Sequence, residues 1–382
     1  SQMINRKIDT ELKKILTLGN DEKEVKCLIY VSGFNANVKN LEDFGIKIEE
    51  KFPFINAISA KVPVELINKL SMKSYVEYIS SQSKVEALMN IARKVLKAEN
   101  ITGGNEVTIA YIDTGIAPHA DFKLVRNRII KFVDLINEKT NAYDDNGHGT
   151  FVAGVGSGNG ALSGGKYMGI SPNSNIVSIK ALDKHGEANS TKILEAMQWV
   201  YDNNLEYNIK VVCMSFGSEP LGFNDPIMKG AEALWRKGIV IVSAAGNSGP
   251  DYQTIKSPGI SPRIITVGGM NDNRFDEEYK EEFFEIAKFS SRGPAFNKFK
   301  PDIVAPSVDI NSCSNKEGYT KLSGTSVATP MIAGLCALAY EKNKYLKPDQ
   351  IKRALLASSN GITYNRNLEG YGLPNLEKFL RY

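Results

Sequence analysis

The run Val-Thr-Ile-Ala-Tyr-Ile-Asp-Thr-Gly at residues 107–115 opens the larger part of this chain. It is apolar or β-branched up to a carboxylate and a glycine, a pattern typical of a strand buried on both faces. Further runs alternate along the chain: strand-like at 176–179, 211–214 and 239–243, helix-like at 193–204, 226–237 and 325–340. This alternation predicts a doubly wound, mostly parallel α/β domain over residues 107–382, with its active site at the carboxyl ends of the strands.

The chain before residue 107 has a different pattern. Residues 1–23 form a predicted amphipathic helical extension, and residues 24–80 follow the order β-α-β-β-α-β. This order predicts a small α+β domain with an antiparallel sheet, which we extend to residue 88. Residues 89–106 are charged and helix-prone and end in a glycine-rich turn, so we expect a linker and the N-terminal segment of the larger domain.

Length and composition exclude several classes of protein. The 382 residues suffice for two domains, and 42% hydrophobic with 24% charged residues is ordinary for a globular protein. The 47 basic and 43 acidic residues give a net charge of +4 without a basic tract, which argues against a nucleic-acid partner. No run approaches the ~20 apolar residues of a membrane span, so no membrane partner is expected.

The cysteines and the N-terminus bear on the cellular compartment. Cys27, Cys213, Cys313 and Cys336 are too scattered for a zinc site. Cys213 and Cys336 lie in apolar runs, where a free buried thiol is the favoured interpretation. The N-terminus lacks the apolar run of a secretory signal, although removal of a signal upstream stays open. Together these features predict a cytoplasmic protein.

His148 and Asp113 are the first candidates for catalysis. His148 lies in GHGT at 147–150, where flanking glycines allow close approach and an apolar helical run follows. Asp113 ends the strand-like run 107–112, and a carboxylate there can orient a histidine. The alternatives are a structural histidine and a turn-forming aspartate. Of the other histidines, His119 is interpreted as structural and His185 as part of a surface turn.

A serine and an asparagine add to these candidates. Ser326, in SGTSVATP at 323–330, precedes an apolar helix whose first N–H groups favour a developing negative charge. Its alternative role is a plain N-cap. Asn247, in SAAGNSGP at 243–250, follows a buried strand and can either donate to an oxyanion or form a turn.

With the strings DTGI, GHGT, AAGNSG and GTSVATP in this order, the chain resembles the subtilisin family of serine proteases over about residues 105–380. The order Asp-His-Ser along the chain is a known feature of that family, and the spacing of these residues does not by itself establish it. The resemblance implies that Ser326 is the nucleophile, His148 its general base and Asp113 the residue that orients His148. It also implies an oxyanion hole made by Asn247 and the Ser326 N–H.

The resemblance further implies a polypeptide substrate bound as an extended strand. Small residues border the expected pocket for P1, the substrate residue before the scissile bond, and should admit a large apolar side chain. The residues expected to bind substrate are Ser215, Phe216, Gly217, Ala245 and Gly246.

Residues 24–88 resemble the propeptides that chaperone and inhibit subtilisins, so the chain's own propeptide is an expected partner. In that family the propeptide tail occupies the active site and its last residue fills the P1 pocket. The sequence Val-Glu-Ala-Leu at 85–88 places apolar residues at P4 and P1, which predicts autoprocessing between Leu88 and Met89. The alternative is a helix over residues 85–97 that continues into the protease.

The resemblance also bears on cofactors and on cellular role. Residues 156–169 lack the calcium-binding insertion of secreted subtilisins, so the chain looks most like the intracellular, AprX-like branch. No cofactor is expected to be required and no metal site is predicted; calcium could bind, but the sequence places no site. A regulatory pseudoprotease, a dedicated processing protease of sporulation or germination, and an intramolecular binding module stay open as alternatives. No role is predicted for the insertion-like stretch 273–285.

Overall fold

The computed structural model describes residues 6–18, 23–53, 56–81, 88–98, 103–274 and 278–382. The chain divides into two compact units. One comprises Ser1–Glu86 with Arg274–Glu278, and the other comprises Ala87–Asn273 with Tyr279–Tyr382. No helix in the described part of the chain has the length and apolar composition of a membrane span.

The first unit is built on a four-stranded antiparallel sheet with the strand order β2-β3-β1-β4. Its elements are α1 (Thr10–Leu18), β1 (Glu24–Val31), α2 (Phe34–Asp43), β2 (Lys47–Phe52), β3 (Ala57–Pro63), α3 (Ile67–Ser71) and β4 (Val76–Ser81). From β1 to β4 this is the order β-α-β-β-α-β predicted for the α+β domain.

The core of the first unit follows from the period of two in strand β1. Val25, Cys27, Ile29 and Val31 are buried on alternate positions of that strand. They belong to one cluster with the apolar residues of the two helices that follow β1 and β3, among them Leu41 and Leu70. Side chains at alternate positions of a strand share one face, so one face of this sheet is covered.

The second unit is built on a mostly parallel sheet with the strand order β11-β10-β9-β8-β5-β7-β6, where β12 also pairs with β10. Among the strands that the structure describes in this sheet, only the β10–β11 pair is antiparallel. The strands are β5 (Thr108–Asp113), β6 (Ile129–Asp134), β7 (Asn175–Lys180), β8 (Ile209–Met214), β9 (Val240–Ala244), β10 (Ile265–Asn271), β11 (Glu285–Ile286) and β12 (Ile303–Pro306). A separate antiparallel hairpin joins β13 (Ile310–Cys313) to β14 (Tyr319–Leu322).

Helices pack around this sheet as the sequence predicts for a doubly wound domain, and the predicted fold class is confirmed. They are α4 (Leu88–Val95), α5 (Ala120–Lys123), α6 (His148–Ser157), α7 (Ser190–Asn203), α8 (Pro226–Arg236), α9 (Thr325–Lys342), α10 (Pro348–Ala357), α11 (Arg366–Glu369) and α12 (Leu376–Phe379). Helix α9 is buried without interruption from residue 327 to 340 and packs against β8, β9 and β10. A helix that is apolar on every side needs such a central position.

The topology brings three strand ends together. Strand β8 lies between β5 and β9, and all three run parallel. Asp113 is the last residue of β5, Ser215 follows β8, and Ala245 follows β9. The residues predicted for catalysis and substrate binding on these strands therefore share one edge of the sheet.

The segment predicted as a linker contributes to the core of the second unit. Ala92, Val95, Leu96 and Ala98 are buried in its main apolar cluster. Arg93 is also buried, and its guanidinium donates to the Gly169 carbonyl and, at 2.8 Å, to the Ala98 carbonyl. Helix α4 begins at Leu88, so the predicted scissile pair lies in its first turn, whereas residues 82–87 lie outside the described residues.

Candidate active site

Asp113 and His148 form a hydrogen-bonded pair at the end of strand β5. The Nδ1 atom of His148 lies 2.7 Å from Asp113 Oδ1, and the Asp113 side chain is 2% exposed. The Thr114 N–H donates to the same carboxylate oxygen at 2.8 Å. A carboxylate accepts only, so Nδ1 carries a proton and the lone pair of neutral His148 is left on Nε2. His148 thus has the tautomer that a general base requires.

The electrostatics of His148 are set by two opposing effects. Burial disfavours the charged imidazolium and by itself lowers the pKa. The charge and hydrogen bond of Asp113, together with the charge of Asp144, outweigh burial, and the pKa of His148 is raised above its ordinary value. Asp113 therefore favours the protonated, imidazolium form of His148.

Asp144 holds the two halves of this pair in place, and sequence reasoning missed it. Its Oδ1 accepts from Thr114 Oγ1 at 2.9 Å and from the Gly147 N–H at 2.9 Å. Its Oδ2 accepts from the N–H and the hydroxyl of Thr150, at 3.0 and 2.6 Å. One buried carboxylate thus joins the residue after Asp113 to the first turn of the histidine helix α6. The signal in the sequence is an acidic residue shortly before GHGT, because carboxylates near a helix start often accept from its first N–H groups, as Asp144 does from Thr150.

Lys180 is a second residue that sequence reasoning missed. Its ammonium group is fully buried and donates to the carbonyls of Thr114 and Leu182, at 2.6 and 2.9 Å. It also donates to Asp145 Oδ1 at 2.8 Å. A lysine directly after the strand-like run 176–179 in β7 was the available signal, because a buried charge requires partners.

Ser326 is the second residue of helix α9, and Gly324 is the N-cap. The alternative interpretation of Ser326 as a plain N-cap therefore does not apply. In the first turn, the Thr325 N–H donates to Asn247 Oδ1 at 2.9 Å and the Val327 N–H donates to the Gly324 carbonyl at 3.1 Å. Among the described residues no acceptor faces the Ser326 N–H, which leaves it available to a ligand.

The side-chain amide of Asn247 has one orientation. Its Oδ1 accepts from both the N–H and the hydroxyl of Thr325, each at 2.9 Å. Because a backbone N–H can only donate, the amide atom that faces it must be the oxygen. The Nδ2 donor is therefore directed away from Thr325. A Cβ built on Gly324 would lie 3.4 Å from Ser326 Oγ and 3.5 Å from Asn247 Nδ2, so a glycine keeps this space open.

The structure thus assembles the predicted catalytic residues in two pairs, Asp113 with His148 and Asn247 with the N-terminus of the serine helix. Helices α6 and α9, which carry His148 and Ser326, pack against each other. No hydrogen bond joins these two side chains in the described part of the chain. Catalytic hydrogen bonds in unliganded enzymes often tighten only when substrate binds.

The predicted substrate-binding residues lie on two short segments, 215–217 after β8 and 245–246 after β9. Ser215 is buried at the end of β8, Phe216 is half-buried and Gly217 is exposed, while Ala245 is buried and Gly246 is half-buried. Because β8 and β9 are neighbouring parallel strands, the two segments follow the same edge of the sheet.

Lys256 contacts both segments and was missed from the sequence. Its N–H donates to the Ala245 carbonyl at 2.9 Å. A Cβ on Gly217 would come within 2.6 Å of Lys256 Cβ, and a Cβ on Gly246 within 2.5 Å of Lys256 Cγ. The Lys256 ammonium forms an ion pair with Glu219.

The described residues contain one cluster of the composition that binds metals, formed by His119, Asp121 and Cys313. Its donors and acceptors have protein partners. His119 Nδ1 accepts from the Asp121 N–H at 3.0 Å, and its Nε2 lies 2.7 Å from the Gly318 carbonyl. Tyr319 donates to the Asp121 carboxylate at 2.8 Å. This network agrees with a structural interpretation of His119, and His185 lies in an exposed turn.

Comparisons with known proteins agree with this geometry. Residues 104–372 match the family model described as the subtilase family. Serine protease AprX of Bacillus subtilis (strain 168) is 38% identical over 364 residues, which cover 87% of this chain and 80% of that protein. M-protease of Shouchella clausii (strain KSM-K16) is 28% identical over 389 residues, covering 97% of this chain and 92% of that protein.

Solved structures with a similar fold support the same family. Sphericase superimposes with a TM-score of 0.65 at 26% identity, covering 77% of this chain and 99% of that one. An S41 psychrophilic protease superimposes with a TM-score of 0.66 at 26% identity and the same coverage. The chain therefore belongs to the subtilase family, in its AprX-like branch, and is a subtilisin-like serine endopeptidase.

Proposed function

We propose that this endopeptidase hydrolyses peptide bonds through Ser326, His148 and Asp113. Ser326 Oγ attacks the scissile carbonyl while His148 Nε2 accepts its proton, and the same proton is later donated to the leaving amine. Asp113 holds the tautomer and stabilises the imidazolium without taking the proton. The observation that carries this proposal is the 2.7 Å contact between His148 Nδ1 and Asp113 Oδ1.

The negative charge that develops on the carbonyl oxygen is received by two donors, Asn247 Nδ2 and the Ser326 N–H. The supporting observation is that Thr325 occupies Asn247 Oδ1, so the amide does not have to reorganise during the reaction. The substrate binds as an extended strand along the segment 215–217, which presents exposed backbone at Gly217. We expect a large apolar P1 side chain, such as leucine, to bind between this segment and residues 245–246.

The chain is further proposed to be a zymogen that processes itself. Residues 24–88 act as an inhibitory propeptide, and the bond between Leu88 and Met89 is cut by Ser326. The apolar side chain of Leu88 fits the proposed P1 preference. Because both residues lie in the first turn of α4, this turn must unwind before the bond can bind in the extended form that a protease cleaves.

We place the enzyme in the cytoplasm and propose that it requires no cofactor. The four cysteines are buried and form no disulfide, as expected for a protein that folds in a reducing compartment. Calcium binding stays a proposal without an assigned site.

Mass spectrometry of freshly purified wild type beside Ser326→Ala tests the proposal. Wild type should separate into a propeptide that ends at Leu88 and a mature protease, whereas Ser326→Ala stays whole. Ser323→Ala serves as the matched control, since Ser323 is an exposed serine three residues earlier. It should process like wild type.

An active-site-directed fluorophosphonate separates the remaining outcomes. An intact wild type that the reagent does not label would identify a pseudoprotease. An intact wild type that is labelled would refute self-processing at this bond but keep the endopeptidase. Equal cleavage of wild type and Ser326→Ala would show that another protease makes the cut.

A further inference from the structure

A charged side chain, that of Lys256, lies against the segments 215–217 and 245–246. Backbone hydrogen bonds hold the residues that carry it: the Lys256 N–H donates to the Ala245 carbonyl, and Ser257 exchanges hydrogen bonds with Ser218 at 2.9 and 3.0 Å. Residues 256–257 are thereby fixed to residue 245 on one side and to residue 218, next to the segment 215–217, on the other. The Lys256 stem lies against the α-carbons of Gly217 and Gly246, where any larger residue would collide with it.

A bound substrate brings its P1 side chain to this place. Its P1 carbonyl carbon lies at Ser326 Oγ, its oxygen faces Asn247 Nδ2, and its backbone follows the segment 215–217. The P1 side chain then enters between Gly217 and Gly246 and meets Lys256. This step rests on the proposed function.

The charge of Lys256 is only loosely satisfied. Its side chain is 21% exposed, whereas that of its partner Glu219 is 81% exposed. An ion pair with so exposed a partner is worth little and exchanges readily. A carboxylate that arrives on the substrate can therefore replace Glu219, while the methylene stem offers apolar contact to an aliphatic P1 side chain.

We infer that Lys256 determines the charge specificity of the P1 pocket: it admits acidic P1 side chains beside apolar ones and rejects basic ones, and Glu219 competes with the acidic substrate. The stem accounts for the apolar preference, and the ammonium group adds a preference for negative charge.

Four tetrapeptide p-nitroanilides that differ only at P1, with leucine, glutamine, glutamate or lysine, test this inference. The readout is the ratio of kcat/KM for glutamate to that for glutamine, because a ratio within one variant cancels any change in folding or overall activity. We expect Glu219→Gln to raise the ratio and Lys256→Met to lower it, each about five-fold, the upper range for a partly exposed ion pair. Lys256→Met should also improve the lysine substrate relative to glutamine.

Lys229→Met is the matched control, because it removes the same charge from an exposed position on helix α8. It should keep the wild-type ratios. If the kcat/KM ratios do not change in either Lys256→Met or Glu219→Gln, the inference is overturned. If Lys256→Met does not fold, the ratio measured for Glu219→Gln decides the question alone. If the wild type hydrolyses none of the substrates and resists the fluorophosphonate, the proposed function itself fails, and the inference with it.

Discussion

Lys180→Met removes the buried ammonium group that connects the loop after Asp113 to the loop before His148. Methionine has a similar length and fills the same space but cannot donate a hydrogen bond. The carbonyls of Thr114 and Leu182, which accept from Lys180 at 2.6 and 2.9 Å, then lose this donor. Asp145 loses its ion-pair partner as well.

The cost follows from the burial of these groups. Thr114 and Leu182 are buried, and each buried acceptor left unsatisfied costs about 1–3 kcal/mol. Asp145 is 34% exposed and can be rehydrated, so it adds little. Methionine also avoids the burial of a charge, which offsets part of the loss. We expect the free energy of unfolding to fall by about 2–4 kcal/mol. Because Thr114 also positions the first turn of α6, kcat/KM should fall roughly ten- to a hundred-fold.

Stability is measured by urea unfolding in the Ser326→Ala background, which prevents self-digestion. The double variant with Lys180→Met is compared with Ser326→Ala alone. Lys131→Met is the control, since Lys131 is an exposed lysine in β6, the strand next to β7. Activity is measured in the active background. A loss of stability no larger than that of Lys131→Met would refute the argument that Lys180 satisfies buried carbonyls. An unchanged kcat/KM would refute its role in positioning the catalytic loops.

Other parts of the structure give further predictions. Asn247→Ala should lower kcat roughly 10²- to 10³-fold with little change in KM, the magnitude known for the oxyanion-hole amide of subtilisins; an effect confined to KM would argue against this role. Because only neutral His148 can accept a proton, kcat/KM should rise with pH through a midpoint above about 6.5, since the pKa is raised. Asp144→Asn removes a negative charge near the imidazole and should lower this midpoint, and a midpoint that stays in place would exclude the charge of Asp144 as a cause. Burial raises the pKa of Cys27 to about 12 and keeps the other three thiols protonated, so a thiol reagent should titrate four cysteines only after unfolding; rapid reaction of the native protein would contradict their burial.

The predicted strands and helices of the larger domain agree with the structure within a few residues where a continuous apolar run carried the signal. Strand β5, predicted at 107–112, is Thr108–Asp113, and helix α9, predicted at 325–340, is Thr325–Lys342. Strands without such a run were missed. Strand β6 is an edge strand with exposed positions, and β10 contains Gly268 and Gly269. A Cβ on Gly269 would lie 2.3 Å from Ser307 Oγ, so the close approach of neighbouring chain requires the residue that weakens the strand pattern.

The candidate site likewise contains residues that were identified from the sequence and residues that were missed. Asp113, His148, Asn247 and Ser326 were identified because each lies in a short string that resembles a family motif. Asp144, Lys180, Thr325 and Lys256 were missed because their roles depend on partners elsewhere in the chain. Lys180, for instance, acts on the carbonyl of Thr114, which lies 66 positions away. Local pattern can mark such a residue as unusual, but it does not identify the distant partner, which only the packed sheet brings close.

The dipole of helix α4 affects whether the proposed cut between Leu88 and Met89 can be reversed. A cut between Leu88 and Met89 creates an α-amino group, which is largely protonated at neutral pH, in the first turn of this helix. The aligned peptide dipoles already place partial positive charge there, whereas Arg93 and Lys94 lie in the last turn, where the dipole favours them. The new charge disfavours the helical conformation of the first turn by about 0.3–1 kcal/mol. After the proposed cut, this cost opposes the return of the new N-terminus to its helical position and therefore disfavours religation.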